Sequence, residues 1–432
     1  MEFRKVGLIT CTALVLANMI GTGVFTSLGF QVAVLPSTFP VLMVWLLGGL
    51  VALCGALSYA ELASALPSSG GEYYFLSRIY HPAIGFMAGF VSVTVGFAAP
   101  IALAAMAFGG YLAATFPGVH PGVASMVVVL LVALLHSLTV RASGNFQVVV
   151  TCLKVCLVVA FIIIGVWKET AHPVSFAPKP GDFALMVSTP FAISLMFVLY
   201  AYTGWNAAAY ILSEVRRPEV TVPWALLIGT VIVTVLYVTI NAVFLAAAPL
   251  QDYVDKIEVG QIAAEHLLGE EGGRIMSGLI SIGLISAISA MTWAGPRVAQ
   301  AIGRDLASLK VLSATRSGGV PLPALGLQTT IVVILLLSAT FEAVLVYAQF
   351  AILACSFLAV LGVIVLRWRQ PGLPRPFRCW GYPVTPIVFL ALNLFAMAYS
   401  AHDKPIHALA GAATLLIGFL LYFPLRKRRL SA

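Results

Sequence analysis

Charge is what this sequence has least of. Only 9% of its 432 residues are Asp, Glu, Lys or Arg, against 61% hydrophobic. A soluble globular domain carries roughly a quarter charged residues, so that class is excluded. Cysteine is sparse too: of six, Cys11, Cys54, Cys152, Cys156 and Cys355 lie inside apolar runs and Cys379 lies in a loop. That pattern excludes a disulfide framework and reads as small apolar packing residues. There is no long linker, no low-complexity stretch and no soluble domain, so a receptor with an added signalling module is not expected. A nucleophile–base signature, a phosphate loop after a strand, paired membrane carboxylates and a metal-binding histidine spacing are all missing. A membrane-embedded enzyme, a metal and any other cofactor are therefore not expected. A channel would want a continuous polar lining, which the spans do not show.

What is there is apolar length. Roughly twelve runs can cross a bilayer: 6–30, 39–66, 83–115, 123–140, 146–167, 186–213, 222–247, 275–304, 322–340, 343–367, 383–401 and 406–424. The first contains a break and is followed by more spans, so it does not read as a cleaved signal peptide. The fold class expected is an all-α integral membrane protein, one transmembrane domain over 1–432.

The net charge of +8 suggests nucleic acid only until its placement is examined. With Arg4 and Lys5 on the cytoplasmic side, alternate loops collect Arg78, Arg141, Arg216, Arg217, Arg304, Lys310, Arg316, Arg367, Arg369, Arg375, Arg378 and the tail Arg426-Lys427-Arg428-Arg429. The opposite loops hold Lys168, Lys179, Lys256, Arg274 and Lys404, with most of the acids, concentrated in Asp252, Asp255, Glu258, Glu265, Glu270 and Glu271. That is the positive-inside rule with both termini cytoplasmic. The expected partners are membrane lipid, including anionic lipid at the basic tail, and not nucleic acid.

Two spans are broken at matching points. The first reads Asn18-Met19-Ile20-Gly21-Thr22-Gly23-Val24-Phe25, the second Tyr200-Ala201-Tyr202-Thr203-Gly204-Trp205-Asn206. Glycine removes helix propensity, and unwound backbone at membrane depth survives only against protein or a water-filled cavity. One such break per half points to the binding site of a secondary transporter. A helix that restarts offers free N–H groups and a positive dipole end to an anion, and the half that stops offers carbonyls to an ammonium. A zwitterionic amino acid presents both charges. Gly21, Thr22 and Gly23 would supply the N–H groups, and Asn18, Met19 and Ile20 the carbonyls. The competing reading, helix packing by small residues, loses ground because the second break exists. There Gly204 permits the bend, Tyr200, Tyr202 and Trp205 add aromatic bulk, and Asn206 adds an amide. The breaks lie about 180 residues apart, in spans one and six, as a five-plus-five inverted repeat would place them. The repeats would cover about 6–167 and 186–367, with helices 11 and 12 over about 383–424.

Four further features carry expectations. Lys154 sits deep in the fifth span, where a Lys costs about 2.5–3.5 kcal/mol. It is expected to face the bundle, take Ser286, Ser289 and backbone carbonyls near Gly21 as partners, and stand where other transporters hold sodium. A buried ammonium is a proton carrier or a permanent clamp, and both readings stay open. Glu61, closing the second span, is expected to pair with an arginine such as Arg297. The outer stretch 248–274 carries amphipathic spacing, read as a short surface helix that is a lid or an ordinary loop helix. Two cytoplasmic stretches punctuated by Gly and Pro, 67–74 and 372–377, are expected to be ordered.

Together these residues are similar to the amino acid–polyamine–organocation superfamily, and within it the L-amino acid transporter branch. The resemblance covers nearly the whole chain. It rests on Met19-Ile20-Gly21-Thr22-Gly23-Val24-Phe25, on Tyr59-Ala60-Glu61-Leu62 through Pro67-Ser68-Ser69-Gly70-Gly71-Glu72-Tyr73, and on Tyr202-Thr203-Gly204-Trp205-Asn206. Later stretches add to it: Ser213-Glu214-Val215-Arg216-Arg217-Pro218-Glu219, Gly295-Pro296-Arg297, Gly303-Arg304-Asp305, and Leu373-Pro374-Arg375-Pro376-Phe377 with Trp380-Gly381-Tyr382-Pro383. The resemblance implies a LeuT-type fold with discontinuous helices 1 and 6. It implies a substrate held by the backbone of Gly21–Gly23 and by carbonyls around Tyr200, Ala201 and Tyr202. The family's outer gating aromatic falls on Tyr200, usually a Phe, with Trp205 a second gating candidate. Lys154 matches a lysine of several sodium-independent members. Thr203 stands where branch members often have Gly. Eukaryotic members pair with a single-span partner through an outer cysteine, which is lacking here.

The expected activity is sodium-independent transport of neutral L-amino acids across a prokaryotic cytoplasmic membrane, by exchange or proton-coupled symport. The alternative is a cationic amino acid or polyamine carrier. That would want an acid in spans one, three, six, eight or ten, and none lies within those boundaries.

Overall fold

The computed structural model describes residues 7–138, 140–168, 174–212, 215–315 and 320–426, and over 140–150 the backbone alone. Arg4, Lys5, Ser213, Glu214, Arg316, Lys427, Arg428 and Arg429 lie outside the described residues, as does the side chain of Arg141.

The described chain is all-helical. The first span is two helices, α1 (Leu8–Met19) and α2 (Gly23–Val32), followed by α3 (Thr38–Ala65) and a short loop helix, α4 (Glu72–Ile79). The third span is α5 (Pro82–Val91), a π-helical turn over Ser92–Gly96, and α6 (Ala98–Thr115). Then come α7 (Pro121–Leu138), α8 (Val140–Trp167), the single turn α9 (Asp182–Leu185) and α10 (Thr189–Ala201). The second half holds α11 (Pro218–Ala247), the short α12 (Leu250–Tyr253) and α13 (Val259–Leu268), and α14 (Glu270–Asp305). It closes with α15 (Leu322–Ser338), α16 (Phe341–Arg369), α17 (Val384–Asp403) and α18 (Pro405–Arg426).

Among the described residues nine spans are long and apolar enough to cross a membrane. Three shorter apolar helices, Thr151–Trp167, Thr189–Ala201 and Leu322–Ser338, occupy the places of the remaining expected spans. The architecture is that of an integral membrane transporter fold with discontinuous first and sixth spans. Two boundaries differ from expectation. The loop expected at 141–145 is helical, because nothing in Arg-Ala-Ser-Gly-Asn-Phe stops a helix whose neighbours are both helical. The sixth span ends as an α-helix at Ala201 and, among the described residues, resumes as a four-residue 3-10 turn, Ala207–Tyr210.

Packing divides the bundle. Val15 of α1, Trp45 of α3, Phe191 of α10 and Tyr237 of α11 belong to one large cluster. Ile101 of α6, Val128 of α7, Ile288 of α14 and Val332 of α15 form a cluster of their own. Small residues let the first group close up, as membrane helices require where water gives no drive to associate. A Cβ on Gly48 would sit 2.3 Å from Val198, and one on Gly49 2.3 Å from Thr234. The ends of α1 and α18 share one face, since Thr10 and Tyr422 line the same cavity. We call this the terminal face, and its opposite the far face.

Candidate functional site

The first break begins at Ile20, whose ψ of 84° takes the backbone out of the helix. Gly21 N–H then turns back on the Met19 carbonyl at 2.8 Å. The chain restarts at Gly23 with no side-chain cap from Thr22; Phe25 N–H donates to the Thr22 carbonyl at 2.9 Å, and the N–H groups of Gly23 and Val24 precede any intrahelical acceptor. The second break runs from Tyr202 to Asn206, with Gly204 at φ +100°. Thr203 satisfies the Tyr200 carbonyl twice, by N–H at 2.9 Å and by hydroxyl at 2.6 Å.

The two breaks rest on each other. A Cβ on Gly23 would lie 2.4 Å from the Ala201 Cα, and one on Gly204 2.7 Å from the Asn18 carbonyl carbon. Glycine is required at both points by backbone contact, so the packing and functional readings of these glycines describe one arrangement. Tyr237 of α11 ties the pair together. Its hydroxyl donates to the Met19 carbonyl at 2.5 Å and reaches the Ala201 carbonyl at 3.2 Å. Both carbonyls are among those expected to meet an ammonium. Across the gap the Tyr200 and Thr22 hydroxyls approach to 3.5 Å.

Lys154 is buried and donates to the Ala17 carbonyl at 3.1 Å. Its stem lies where a Cβ on Gly283 of α14 would touch it, 3.6 Å from Cγ. The lysine thus joins α8 to α1 and packs on α14. Its expected serine partners are engaged elsewhere: the Ser286 hydroxyl is 3.4 Å from that of Thr151, and Ser289 is 2.9 Å from His136 Nε2. The reason is register. Ser286 and Ser289 lie three residues apart on one face of α14, which meets α8 and α7, whereas the ammonium reaches past that face to α1.

A cavity of about 910 Å³ opens beside the breaks. Its wall includes Thr10 and Asn18 of α1, the π-turn residues Ser92 and Gly96, Thr203, Gly204 and Asn206 of the second break, and Arg297 and Arg304 near the end of α14. The far face is closed. Phe30 stacks on Phe197 at 5.4 Å and on Phe341 at 5.9 Å. The Tyr111 hydroxyl donates to the Phe25 carbonyl at 2.8 Å and accepts from Gly260 N–H at 3.2 Å. Asp255 N–H donates to the Gly29 carbonyl at 3.2 Å. The 248–274 stretch therefore packs over the outer end of α2.

Of the expected binding residues, Asn18, Gly204 and Asn206 line the cavity; Met19, Ile20, Gly21, Thr22, Gly23, Tyr200, Ala201 and Tyr202 are buried just behind it. The Tyr202 ring faces α3, its hydroxyl on the Trp45 carbonyl at 3.1 Å. Trp205, expected as a gate, is not on the cavity wall: it packs edge-on against Tyr59 at 4.7 Å and Phe389 at 6.1 Å. Glu61 does not pair with Arg297. Arg367 binds it through Nε at 2.8 Å and Nη2 at 2.6 Å, with Arg375 at 3.4 Å and Cys379 N–H at 2.7 Å. Several arginines share that face, and only the approach of α16 to α3 selects one. Arg297 instead lies over the Trp293 ring at 4.7 Å. All six cysteines are free, and burial pushes the Cys379 thiol up to about 11. Among the described residues no group of three or more His, Cys, Asp and Glu could hold a metal.

One acid of the site escapes a reading of the sequence. Glu72, opening α4, is buried at the cavity wall with donors from three other elements. Burial holds its carboxyl above the usual carboxylate range, opposed in part by the donated hydrogen bonds. Its position directly after Gly70-Gly71, in a stretch expected to be ordered, was the available signal. Tyr237 offered none beyond a lone hydroxyl in an apolar span.

A family model described as amino acid permease matches residues 6–421. The chain is 27% identical to the Asc-type amino acid transporter 1 of Mus musculus, over 97% of this chain and 81% of that one. It is also 27% identical to the serine/threonine exchanger SteT of Bacillus subtilis (strain 168), over 99% and 98%. Against the large neutral amino acids transporter small subunit 2 of Homo sapiens the identity is 26%, over 97% and 80%.

Proposed function

The chain belongs to the amino acid permease family, and from that premise we propose that it carries neutral L-amino acids by sodium-independent exchange through alternating access. The observation that carries the reading is the seating of the two breaks on each other through Gly23 and Ala201. That contact puts the uncapped start of α2, which suits a carboxylate, beside the Met19 and Ala201 carbonyls, which suit an ammonium. In the present conformation the Tyr237 hydroxyl donates to the Met19 carbonyl and lies within reach of the Ala201 carbonyl. A substrate ammonium takes over one or both, and the backbone at the breaks closes around it as the cavity shuts.

Lys154 supports sodium independence: its ammonium already bonds a carbonyl of α1 and rests against α14, leaving no unmet demand for a cation there. Neutral side chains fit the occupancy of the wall's buried carboxylate. Glu72 already accepts from four donors of this chain and is not open to a cationic side chain. The names of the relatives, a serine/threonine exchanger and a large neutral amino acid transporter, agree with that class. By charge asymmetry the terminal face is the cytoplasmic one, in a prokaryotic inner membrane. No cysteine is positioned at a far-face loop for linkage to a single-span partner, and the chain works without one.

The test is uptake of radiolabelled neutral amino acids into proteoliposomes with no sodium on either side, with and without internal amino acid, across an imposed pH gradient. Uptake that needs internal substrate and ignores the gradient is expected. Uptake into empty vesicles driven by an inward proton gradient overturns exchange in favour of symport. Transport of lysine or a polyamine with no neutral substrate overturns the substrate class.

A further inference from the structure

The carboxylate of Glu72 is buried with no counter-ion among the described residues. It is not left alone, however: Oε1 accepts from the Tyr59 hydroxyl at 2.6 Å, Asn206 Nδ2 at 3.2 Å and the Ser356 hydroxyl at 3.2 Å, and Oε2 accepts from the Tyr210 hydroxyl at 3.1 Å. Hydrogen bonds to an ionised acceptor are about twice as strong as neutral ones. Four donors converging on one side chain suit the ionised form, because a protonated acid would turn one accepting oxygen into a donor. A buried acid with two accepting oxygens is costly, an amide in its place would offer only one, and such costs concentrate at functional positions.

The donors come from opposite sides of a boundary. Asn206 closes the second break and Tyr210 ends the 3-10 turn Ala207–Tyr210 that follows it, with Gly204 at a positive φ between this segment and α10. Ser356 lies on α16 and Tyr59 on α3. Glu72 itself is seated by Gly71, where a Cβ would come within 2.4 Å of the Tyr210 ring. Glu72, Asn206 and Tyr210 all line the cavity that opens to the terminal face. Closing that cavity moves the segment after the break relative to α16, and Glu72 bonds both.

We propose that Glu72 is a positioning residue of the transport cycle, a latch that fastens the segment after the second break to α16 and α3 while the cavity is open to the terminal face. The proposal rests on the alternating-access reading given above. Loss of the latch lowers the population open to the terminal face, and apparent affinity at a face scales with the population open to it.

The experiment uses the full-length chain reconstituted in vesicles of known orientation, as wild type, Glu72→Gln and Ser356→Ala, with two readouts. The first is the rate at which a membrane-impermeant maleimide labels Ala301→Cys, on the cavity wall, from the terminal face, over the rate of the native cysteines. The second is the ratio of the KM for a neutral amino acid at the terminal face to that at the far face. Glu72→Gln is expected to slow labelling about tenfold and to raise the KM ratio by a similar factor; Ser356→Ala moves both the same way by about threefold. Labelling rates and KM ratios unchanged in both variants overturn the latch, whatever happens to total activity. If Glu72→Gln does not reconstitute, Ser356→Ala decides. A wild type that carries no neutral amino acid overturns the proposed function, while the labelling rates still decide the latch.

Discussion

The first break restarts as a ten-residue α-helix, and the second, among the described residues, as a four-residue 3-10 turn. The first is held from outside by backbone acceptors: Tyr237 on the Met19 carbonyl and Lys154 on the Ala17 carbonyl. The second is held by side chains, with Asn206 and Tyr210 converging on Glu72. A helix N-terminus is a fixed dipole and works without moving, whereas a short turn tied by side chains can be untied. Under the proposed function, that asymmetry suits the first break to a substrate carboxylate and the second to the conformational change. Both breaks depend on glycine, for unequal reasons. Gly204 needs its positive φ, Gly23 needs only the absence of a Cβ, and Gly21 needs neither.

The largest effect expected is at the contact between the breaks. Gly23→Val places side-chain atoms within the Ala201 backbone and pushes the breaks apart, and transport should fall by about a hundredfold, the scale of an ångström-sized misplacement. Initial uptake rates, normalised to folded protein on size exclusion, check it; near-wild-type uptake would mean the breaks need not touch. Tyr237→Phe comes next. It removes one hydroxyl that serves both breaks while keeping the ring, and apparent substrate affinity should change about tenfold, the scale of one hydrogen bond among buried groups. An unchanged KM would uncouple the carbonyls from recognition. Gly21→Ala sharpens the contrast within the first break. Nothing approaches its missing Cβ closer than 3.9 Å, so the fold should tolerate it. Alanine favours helix over glycine by about 0.5–1 kcal/mol, which argues for a two- to fivefold loss of affinity as the break is drawn toward helix. Isothermal binding and thermal unfolding, measured together, separate affinity from stability here.

How far the sequence reaches differs between the breaks for the same physical reason. Gly-Thr-Gly in an apolar run violates helix propensity locally, so the first break was legible without neighbours. The second was legible through Gly204 and the aromatics, but the length of its restarted half was not: the 186–213 run is apolar enough for helix throughout, and the short 3-10 turn reflects tertiary ties to Glu72. Those ties join residues 134, 138 and 284 positions away from Glu72, beyond any periodicity. Lys154 was legible as a buried cation seeking oxygen; which oxygen depended on how α14 is rotated. Glu61 likewise announced an ion pair, while the choice of Arg367 over Arg297 came from which helix end lies alongside. The π-turn at Ser92–Gly96, which gives the cavity part of its wall, left no mark in composition.

The smallest effect expected concerns Trp205, and it tests whether every aromatic at the second break gates. Its indole is 7% exposed, sits edge-on to Tyr59 and meets Phe389, and Gly55 of α3 leaves room for it at 2.8 Å. None of those neighbours belongs to the cavity wall. Trp205→Phe removes part of an aromatic packing surface from a well-filled site, for which a loss of about 1–2 kcal/mol is ordinary. The unfolding temperature should therefore drop by a few degrees, roughly the scale for such a loss in a chain of this size. The KM at either face should stay within about twofold, because the ring touches neither the backbone at the breaks nor the path to them. A KM that moves severalfold with little change in unfolding temperature would restore Trp205 to the gate. It would also erase the proposed division of labour, with Tyr200, beside Thr22, facing substrate and Trp205 anchoring the turn to α3.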